Sequence, residues 1–239
     1  MLDSLPKMTC VLLDIEGTTS SVQYVYEVLF PYVRGALPSF LETHWEEPTV
    51  QAACERIAQD ATAASPDAWT PGRAAILAEA LRLMDLDSKA GGLKDLQGLV
   101  SRAGYESGGL RSHFYPDVPP FLETLTRQGV RCCVYSSGSI DAQKNFYRYA
   151  AAGDLTPYIS GNFDTTSGPK REAASYTAIA NALKLPPQSI LFCSDVLAEL
   201  DAASKAGMET VLVVRPGNKA VTEPHTHRVA HSLSELLTR

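Results

Sequence analysis

The sequence predicts an α/β protein: a doubly wound, Rossmann-like parallel sheet core with a block of helices inserted after its first strand. Three observations lead there. Four short apolar runs, Val11–Leu13, Gly129–Ser139, Ser189–Asp195 and Glu209–Asn218, are rich in valine, isoleucine or leucine and do not alternate with polar residues. Strands buried on both faces read that way, and a parallel sheet covered by helices buries both faces. From Gly129 onward these runs alternate with helical patterns, as strands joined by crossover helices do. Between about Val22 and Gly109 there is no convincing strand pattern, and helical spacing prevails.

The elements follow in order. The first strand, in CVLLDIEGTTSS, runs into Asp14 and Glu16, is broken by Gly17, and continues into Thr18 and Thr19. The insert then reads as two long helical stretches, with breaks expected at Pro31, Pro38 and Pro48 and a loop expected from Ala61 to Pro71. Asp117–Gly129 has prolines near its start, apolar Phe121, Leu122 and Leu125, and a terminating glycine, which predicts a helix. In Arg171–Pro186, Ala174, Ile179 and Leu183 fall at helical spacing, and Val196–Gly207 is a further helix stopped by glycine. The expected organisation is a core of residues 1–19 and 113–239, with 20–112 as the helical insert.

Composition narrows the function. The 239-residue chain is 45% hydrophobic and 20% charged, with a formal net charge of -6. These are the proportions of an ordinary globular protein, and the acidic balance argues against nucleic acid as a partner, since such proteins carry a basic face. The opening MLDSLPKMTC lacks a signal-peptide core, and no later apolar run would span a membrane. Cys10, Cys54, Cys132, Cys133 and Cys193 are odd in number and scattered, as expected of reduced core cysteines in a cytoplasmic protein.

In a parallel α/β sheet, ligands bind beyond the carboxyl ends of the strands. Four polar sets fall at such ends or in loops beside them. They are Asp14 with Glu16, Ser136 with Ser137 and Gly138, Lys170 in TTSGPKREA, and Asp195 with Glu199 one helical turn later. Together they offer carboxylates for a hard cation, hydroxyls and backbone donors for phosphate oxygens, and an ammonium. Each alone has a plain structural reading: a turn, a helix cap, a solvated lysine. All four in this order, each beside a strand end, point to phosphate chemistry. His225 and His227 have metal-like spacing but no evident third ligand, and are expected in a solvated tail loop. His44 is expected to be structural, and His113 to lie at the return from the insert.

The DIEGTT stretch resembles the first motif of the haloacid dehalogenase-like phosphohydrolases, written Asp-x-Asp-Gly-Thr, and the later serine, lysine and aspartate match that superfamily's other motifs. The helical insert after the first motif resembles its C1-type cap. The second acid departs from the pattern: it is Glu16. With THWEE, YSSGS, FDTTSGPK, SDVLAE and VVRPGN, this glutamate resembles the enolase-phosphatases, the acireductone synthases of methionine salvage. That resemblance implies conversion of 2,3-diketo-5-methylthiopentyl 1-phosphate to an acireductone plus phosphate, by enolisation and then dephosphorylation, in a cytoplasmic protein expected to be a monomer. It implies Asp14 as nucleophile and Mg2+ ligand and Asp195 as a second ligand. The Glu16 backbone carbonyl would face the metal while its side chain transfers protons. Ser136 and the Ser137 amide would hold phosphate oxygens, and Lys170 would neutralise phosphate and Asp14. Glu199 would order Lys170 or a metal-bound water. Tyr24, Phe30, Tyr32, His44 and Trp45 are candidates, by character, for holding the methylthio end. Two other readings stay open: a different capped Mg2+-dependent phosphatase or phosphosugar mutase of the superfamily, and a phosphate-binding module without turnover. A 2-haloacid dehalogenase is disfavoured, since it needs neither the second acid nor Mg2+.

Overall fold

The computed structural model describes residues 8–64 and 72–237. Strands β1 (Cys10–Leu13), β2 (Arg131–Tyr135), β3 (Gly161–Phe163), β4 (Ile190–Ser194), β5 (Glu209–Val213) and β6 (Arg228–Ala230) form one parallel sheet in the order β3-β2-β1-β4-β5-β6. The chain builds outward from β1 through β2 to β3, then crosses back to β4. That reversal puts a topological switch point beside β1. Leu13 lies opposite Val134 of β2 and Cys193 of β4. Asp14, Ser136 and Asp195 therefore leave the sheet at one edge.

The helices are α1 (Val22–Tyr24), α2 (Phe30–His44), α3 (Pro48–Ala64), α4 (Arg73–Asp85), α5 (Gly91–Glu106), α6 (Val118–Arg127), α7 (Ile140–Arg148), α8 (Ala173–Leu183) and α9 (Leu197–Lys205), with a π-helical turn at Val25–Leu29. Cys10, Leu12, Cys133, Tyr135, Ile190 and Phe192 pack on one sheet face against Tyr176 and Ile179 of α8 and Leu200 and Ala203 of α9. Successive strand residues point to opposite faces. Val11, Leu13, Cys132 and Val134 are therefore turned to the other face, are equally buried, and α6 lies against β2. Burial on both faces is the physical reason these strands are apolar throughout.

The chain divides into two compact units, one up to Val25 and from Arg111 onward, the other Tyr26–Leu110. The second is all-helical among the described residues and closes on Val33, Leu37, Leu41, Val50, Ile57, Leu93, Leu96 and Val100. It is narrower than the 20–112 expected, because the flanking residues are bonded into the sheet unit. The Tyr24 hydroxyl donates to the Arg111 carbonyl at 2.8 Å, the Ser21 amide to His113 Nδ1 at 3.2 Å, and the Ser112 amide to the Tyr149 carbonyl at 3.0 Å.

Other expectations are corrected. The helix does not break at Pro38; α2 runs through it. An interior proline costs about 3 kcal/mol. Pro38 is exposed, while Val33, Leu37, Phe40 and Leu41 bury one stripe, and full burial of such side chains contributes roughly 1.5–3 kcal/mol each. The stripe wins. The loop expected from Ala61 is helical as far as Ala64, and residues 65–71 lie outside the described set. The five cysteines are free and buried. No described helix is long and apolar enough to cross a membrane.

A buried ion pair ties the sheet unit together. Arg215, after β5, donates from Nη1 and Nη2 to the two carboxylate oxygens of Asp117 at 3.0 and 2.9 Å. Asp117 also accepts from the Leu233 amide at 2.6 Å and the Ser232 hydroxyl at 3.0 Å. Burial alone would raise the Asp117 pKa, but Arg215, the Leu233 amide and Ser232 outweigh it and hold the carboxyl below its ordinary value. Removing one partner of a buried pair strands the other, at roughly 3–5 kcal/mol. Asp117→Ala is therefore expected to lose about that much stability in denaturant titrations at neutral pH. Because the folded pKa is depressed, the contribution is complete above the ordinary carboxylate value and is lost as pH falls through the folded one. The difference between wild type and variant is expected to shrink below about pH 4.

Candidate active site

The site starts from the turn after β1. Gly17 sits at φ +73°, and the Ile15 carbonyl gathers the amides of Thr18, Thr19 and Ser20 at 3.2, 2.9 and 2.8 Å. A Cβ at position 17 would fall 2.2 Å from Asp195 Oδ2, so glycine is required both by the backbone and by the approach of that carboxylate. The turn is also held from outside. The carbonyls of Gly17, Thr18 and Thr19 accept in turn from Asn218 Nδ2 at 2.8 Å, Arg215 Nε at 2.9 Å and the Tyr115 amide at 3.0 Å. Arg215 and Asn218 belong to the VVRPGN stretch, whose anchoring role its sequence did not disclose. Asp14 is buried at the head of this turn, and its Oδ1 accepts from the Ile15 amide at 2.8 Å.

Lys170 enters from the loop before α8. Its Nζ lies 2.8 Å from Asp14 Oδ1 and 2.6 Å from Glu199 Oε2, with the lysine side chain only 10% exposed. It is not the solvated lysine that its sequence context alone suggested. Burial lowers its pKa, yet the two carboxylates outweigh that and hold it above the ordinary lysine value. Fully buried Ser194 donates to Glu199 Oε2 at 3.1 Å and lies 3.5 Å from Asp14 Oδ2. Asp195 follows at the end of β4.

Asp14 and Glu199 thus share one ammonium, and Asp195 adds a third carboxylate that feels the charge of both. Burial, with the charge of Asp14 second, pushes Asp195 up to about 7. Burial and Asp14 also push Glu199 up to about 7, against the opposing pull of Lys170 and Ser194. Such an excess of buried negative charge suits a further cation. No group of three or more His, Cys, Asp or Glu side chains among the described residues has the arrangement of a protein-only metal cage. Mg2+ does not need one: it is commonly held by one or two carboxylates, with waters and substrate phosphate completing its shell. Asp14, Asp195 and a backbone carbonyl fit that chemistry.

Ser136 is buried at the end of β2, and its Oγ accepts from the Gly138 amide at 3.3 Å. Ser137 and Glu16 are exposed. Neither Ser136 nor Ser137 caps α7; Ser139 does, accepting from the Ala142 amide at 3.2 Å.

The haloacid dehalogenase-like hydrolase family model matches residues 8–207. Enolase-phosphatase E1 of Synechococcus elongatus is 44% identical over 234 residues, covering 96% of this chain and 98% of that one. Enolase-phosphatase E1 of Pseudomonas syringae pv. tomato is 48% identical over 217 residues, covering 91% and 92%. The chain belongs to the enolase-phosphatase E1 family of haloacid dehalogenase-like hydrolases. The crystal structure of the UTR4 protein of Saccharomyces cerevisiae, 33% identical, superposes with a TM-score of 0.78 over 94% of this chain and 98% of that one. CbbY of Rhodobacter sphaeroides, 15% identical with a TM-score of 0.57 over 95% and 96%, shares the fold.

Several candidates by character take structural places in this enolase-phosphatase chain. Tyr24 is buried and packs edge-on against Phe146, ring centroids 5.7 Å apart. The Tyr32 ring lies so close to Gly104 that a Cβ there would fall 2.3 Å from it. His44 stacks on Phe40 at 4.5 Å and pairs with Glu47 at 2.6 Å, and Trp45 packs on the helical core. Phe30 alone of the five lines a cavity of about 340 Å³, with Tyr26, Pro31, Met84 and Leu93. His113 accepts from the Ser21 amide, and burial lowers its pKa. His227 is not solvated: its side chain is 5% exposed, held by Thr210 at 2.8 Å and Asp201 at 3.0 Å, because β6 begins at the next residue.

Gly17→Ala is expected to displace Asp195 and lower phosphate release about a hundredfold, the scale of an ångström-sized misplacement at a reacting centre. Steady-state phosphate assays check this, with thermal unfolding to verify that the sheet unit stays folded.

Proposed function

We propose that this protein enolises 2,3-diketo-5-methylthiopentyl 1-phosphate and then removes its phosphate, giving the acireductone 1,2-dihydroxy-3-keto-5-methylthiopentene, through a phosphorylated Asp14. The observation that carries the reading is the Lys170 ammonium fixed 2.8 Å from Asp14 at the switch point of the sheet.

Asp14 Oδ1 takes the Ile15 amide and Lys170. Oδ2, with Ser194 Oγ at 3.5 Å, is the oxygen left to attack phosphorus. As that bond forms, the ester P–O bond breaks and its oxygen takes a proton from Glu16. Water then hydrolyses the aspartyl phosphate, with Glu16 accepting the water's proton. Lys170 offsets the charge of phosphate and Asp14, and Ser136 with the Ser137 amide binds phosphate oxygens. Glu199 holds the lysine in place. Asp14, Asp195 and the Glu16 carbonyl would hold Mg2+, which would supply positive charge to offset the repulsion between phosphate and carboxylate.

In the preceding enolisation, Glu16 takes the proton from carbon 1, the C–H electron pair forms the double bond between carbons 1 and 2, and the carbon-2 carbonyl oxygen becomes an enolate that takes a proton from solvent. A glutamate reaches farther than the aspartate of the superfamily motif by one methylene, about 1.5 Å. The base of the first step is then the acid of the second. The helical unit Tyr26–Leu110 serves as a C1-type cap. The enzyme acts as a monomer on a small phosphorylated molecule in the cytoplasm; its net charge of -6 supports a partner other than nucleic acid, and its buried free cysteines support a reducing compartment.

Incubated with the diketo phosphate and Mg2+, the protein is expected to release phosphate together with enediol absorbance. Chelation should stop both and Mg2+ restore them; full release after rigorous chelation would overturn the metal assignment. Glu16→Gln should lose carbon-1 proton exchange, followed by NMR, as well as phosphate release. Exchange at the wild-type rate in that variant would move the base elsewhere.

A further inference from the structure

The loop carrying Lys170 is tied down by three hydroxyls on three consecutive carbonyls. Tyr135 Oη donates to the Gly168 carbonyl at 2.8 Å, Ser175 Oγ to the Pro169 carbonyl at 2.8 Å, and Tyr176 Oη to the Lys170 carbonyl at 2.7 Å. Both tyrosines are fully buried, and Ser175 is 2% exposed. Gly168, at φ +122°, completes the fit, since a Cβ there would fall 2.2 Å from Ser175 Oγ.

Packing does not require these hydroxyls. Phenylalanine would fill the same core positions, and a buried hydroxyl without a partner is a liability. The rings form a stack through the sheet core: Tyr135 meets Tyr176 edge-on at 5.5 Å, and Tyr176 meets Phe192 at 5.1 Å. Tyr135 immediately precedes Ser136, and Phe192 lies in β4 three residues before Asp195. The stack therefore refers the lysine's backbone to the two strands that carry the phosphate-binding serine and the second carboxylate. The Tyr135 ring also lies beneath the ammonium, 5.7 Å from Nζ to its centroid.

We propose that Tyr176, with Tyr135 and Ser175, is a positioning residue that fixes the main chain of Lys170 so that its flexible side chain delivers the ammonium to one point. The proposal rests on the reading of Lys170 as the phosphate-neutralising cation.

The test is a cycle of four proteins in Mg2+ buffer: wild type, Tyr176→Phe, Lys170→Ala and the double variant. The readouts are kcat, KM and the inhibition constant of inorganic phosphate, and thermal unfolding verifies folding. Loss of one positioning hydrogen bond should lower kcat roughly tenfold in Tyr176→Phe, with KM changed less than about threefold. Tyr176→Phe should also weaken phosphate inhibition in the wild-type background, and by less than about twofold once Lys170 is gone, because the tyrosine then has nothing to position. The same loss in both backgrounds, or no loss in kcat, would overturn the proposal. Unchanged turnover and phosphate affinity in Lys170→Ala would instead overturn the reading of the lysine. Should Tyr176→Phe fail to fold, Tyr135→Phe carries the same cycle on the Gly168 carbonyl, and Lys170→Gln replaces Lys170→Ala on the same condition.

Discussion

The ammonium of Lys170, lodged between Asp14 and Glu199, is the interaction on which the site depends. At about 3 Å and an effective dielectric near 20, each contact gains on the order of 5 kcal/mol of Coulomb energy. Removing each ion from water costs several kcal/mol. The network is therefore near break-even for stability, and its value lies in where it puts charge. It sets an ammonium against the carboxylate at the end of a buried strand. The ammonium pairs with Asp14 and Glu199 and not with Asp195.

The two loops that meet there are fixed by one device. Each has three successive carbonyls taken by groups outside the loop: Asn218, Arg215 and the Tyr115 amide for Gly17 to Thr19, and Tyr135, Ser175 and Tyr176 for Gly168 to Lys170. Such loops have no ladder of their own to satisfy their backbone, so the donors come from elsewhere in the sheet unit. The sheet supplies the common reference. β1 lies between β2 and β4, so the carboxylate of Asp14, the hydroxyl of Ser136 and the carboxylate of Asp195 start from neighbouring strands in register.

What was legible in the sequence was whatever rested on local pattern. β1, β2, β4 and β5 announced themselves because burial on both faces leaves no polar alternation, α6 and α8 because each carries apolar residues at helical spacing, and α9 because a glycine stops it. β3 and β6 have three residues each, too few for a pattern, and α7 is mostly polar, with Gln143, Phe146 and Tyr147 buried. The order of Asp14, Ser136, Lys170 and Asp195 was readable because each follows a strand or opens a helix. The groups that hold them were not. Arg215 and Asp117 are 98 residues apart, and nothing in VVRPGN says which carboxylate its arginine will meet. Tyr135 lies in an apolar run and Tyr176 in a helical stretch, where nothing marks their hydroxyls, and only the positions of those hydroxyls reveal what they hold. Pro38 misled because proline's local rule was outweighed by a stripe on the far side of the helix, and His227 because the strand that follows it is so short.

The central claim, that phosphate passes through the carboxylate of Asp14, can be measured directly. Wild-type protein mixed with the diketo phosphate and Mg2+, quenched in acid within the first turnover and digested, should yield a peptide containing Asp14 that is heavier by one phosphoryl group. Hydroxylamine should remove the added mass, as it does from acyl phosphates. A full first turnover of phosphate with no phosphorylated peptide at any quench time, or with the label on a peptide lacking Asp14, would contradict the account.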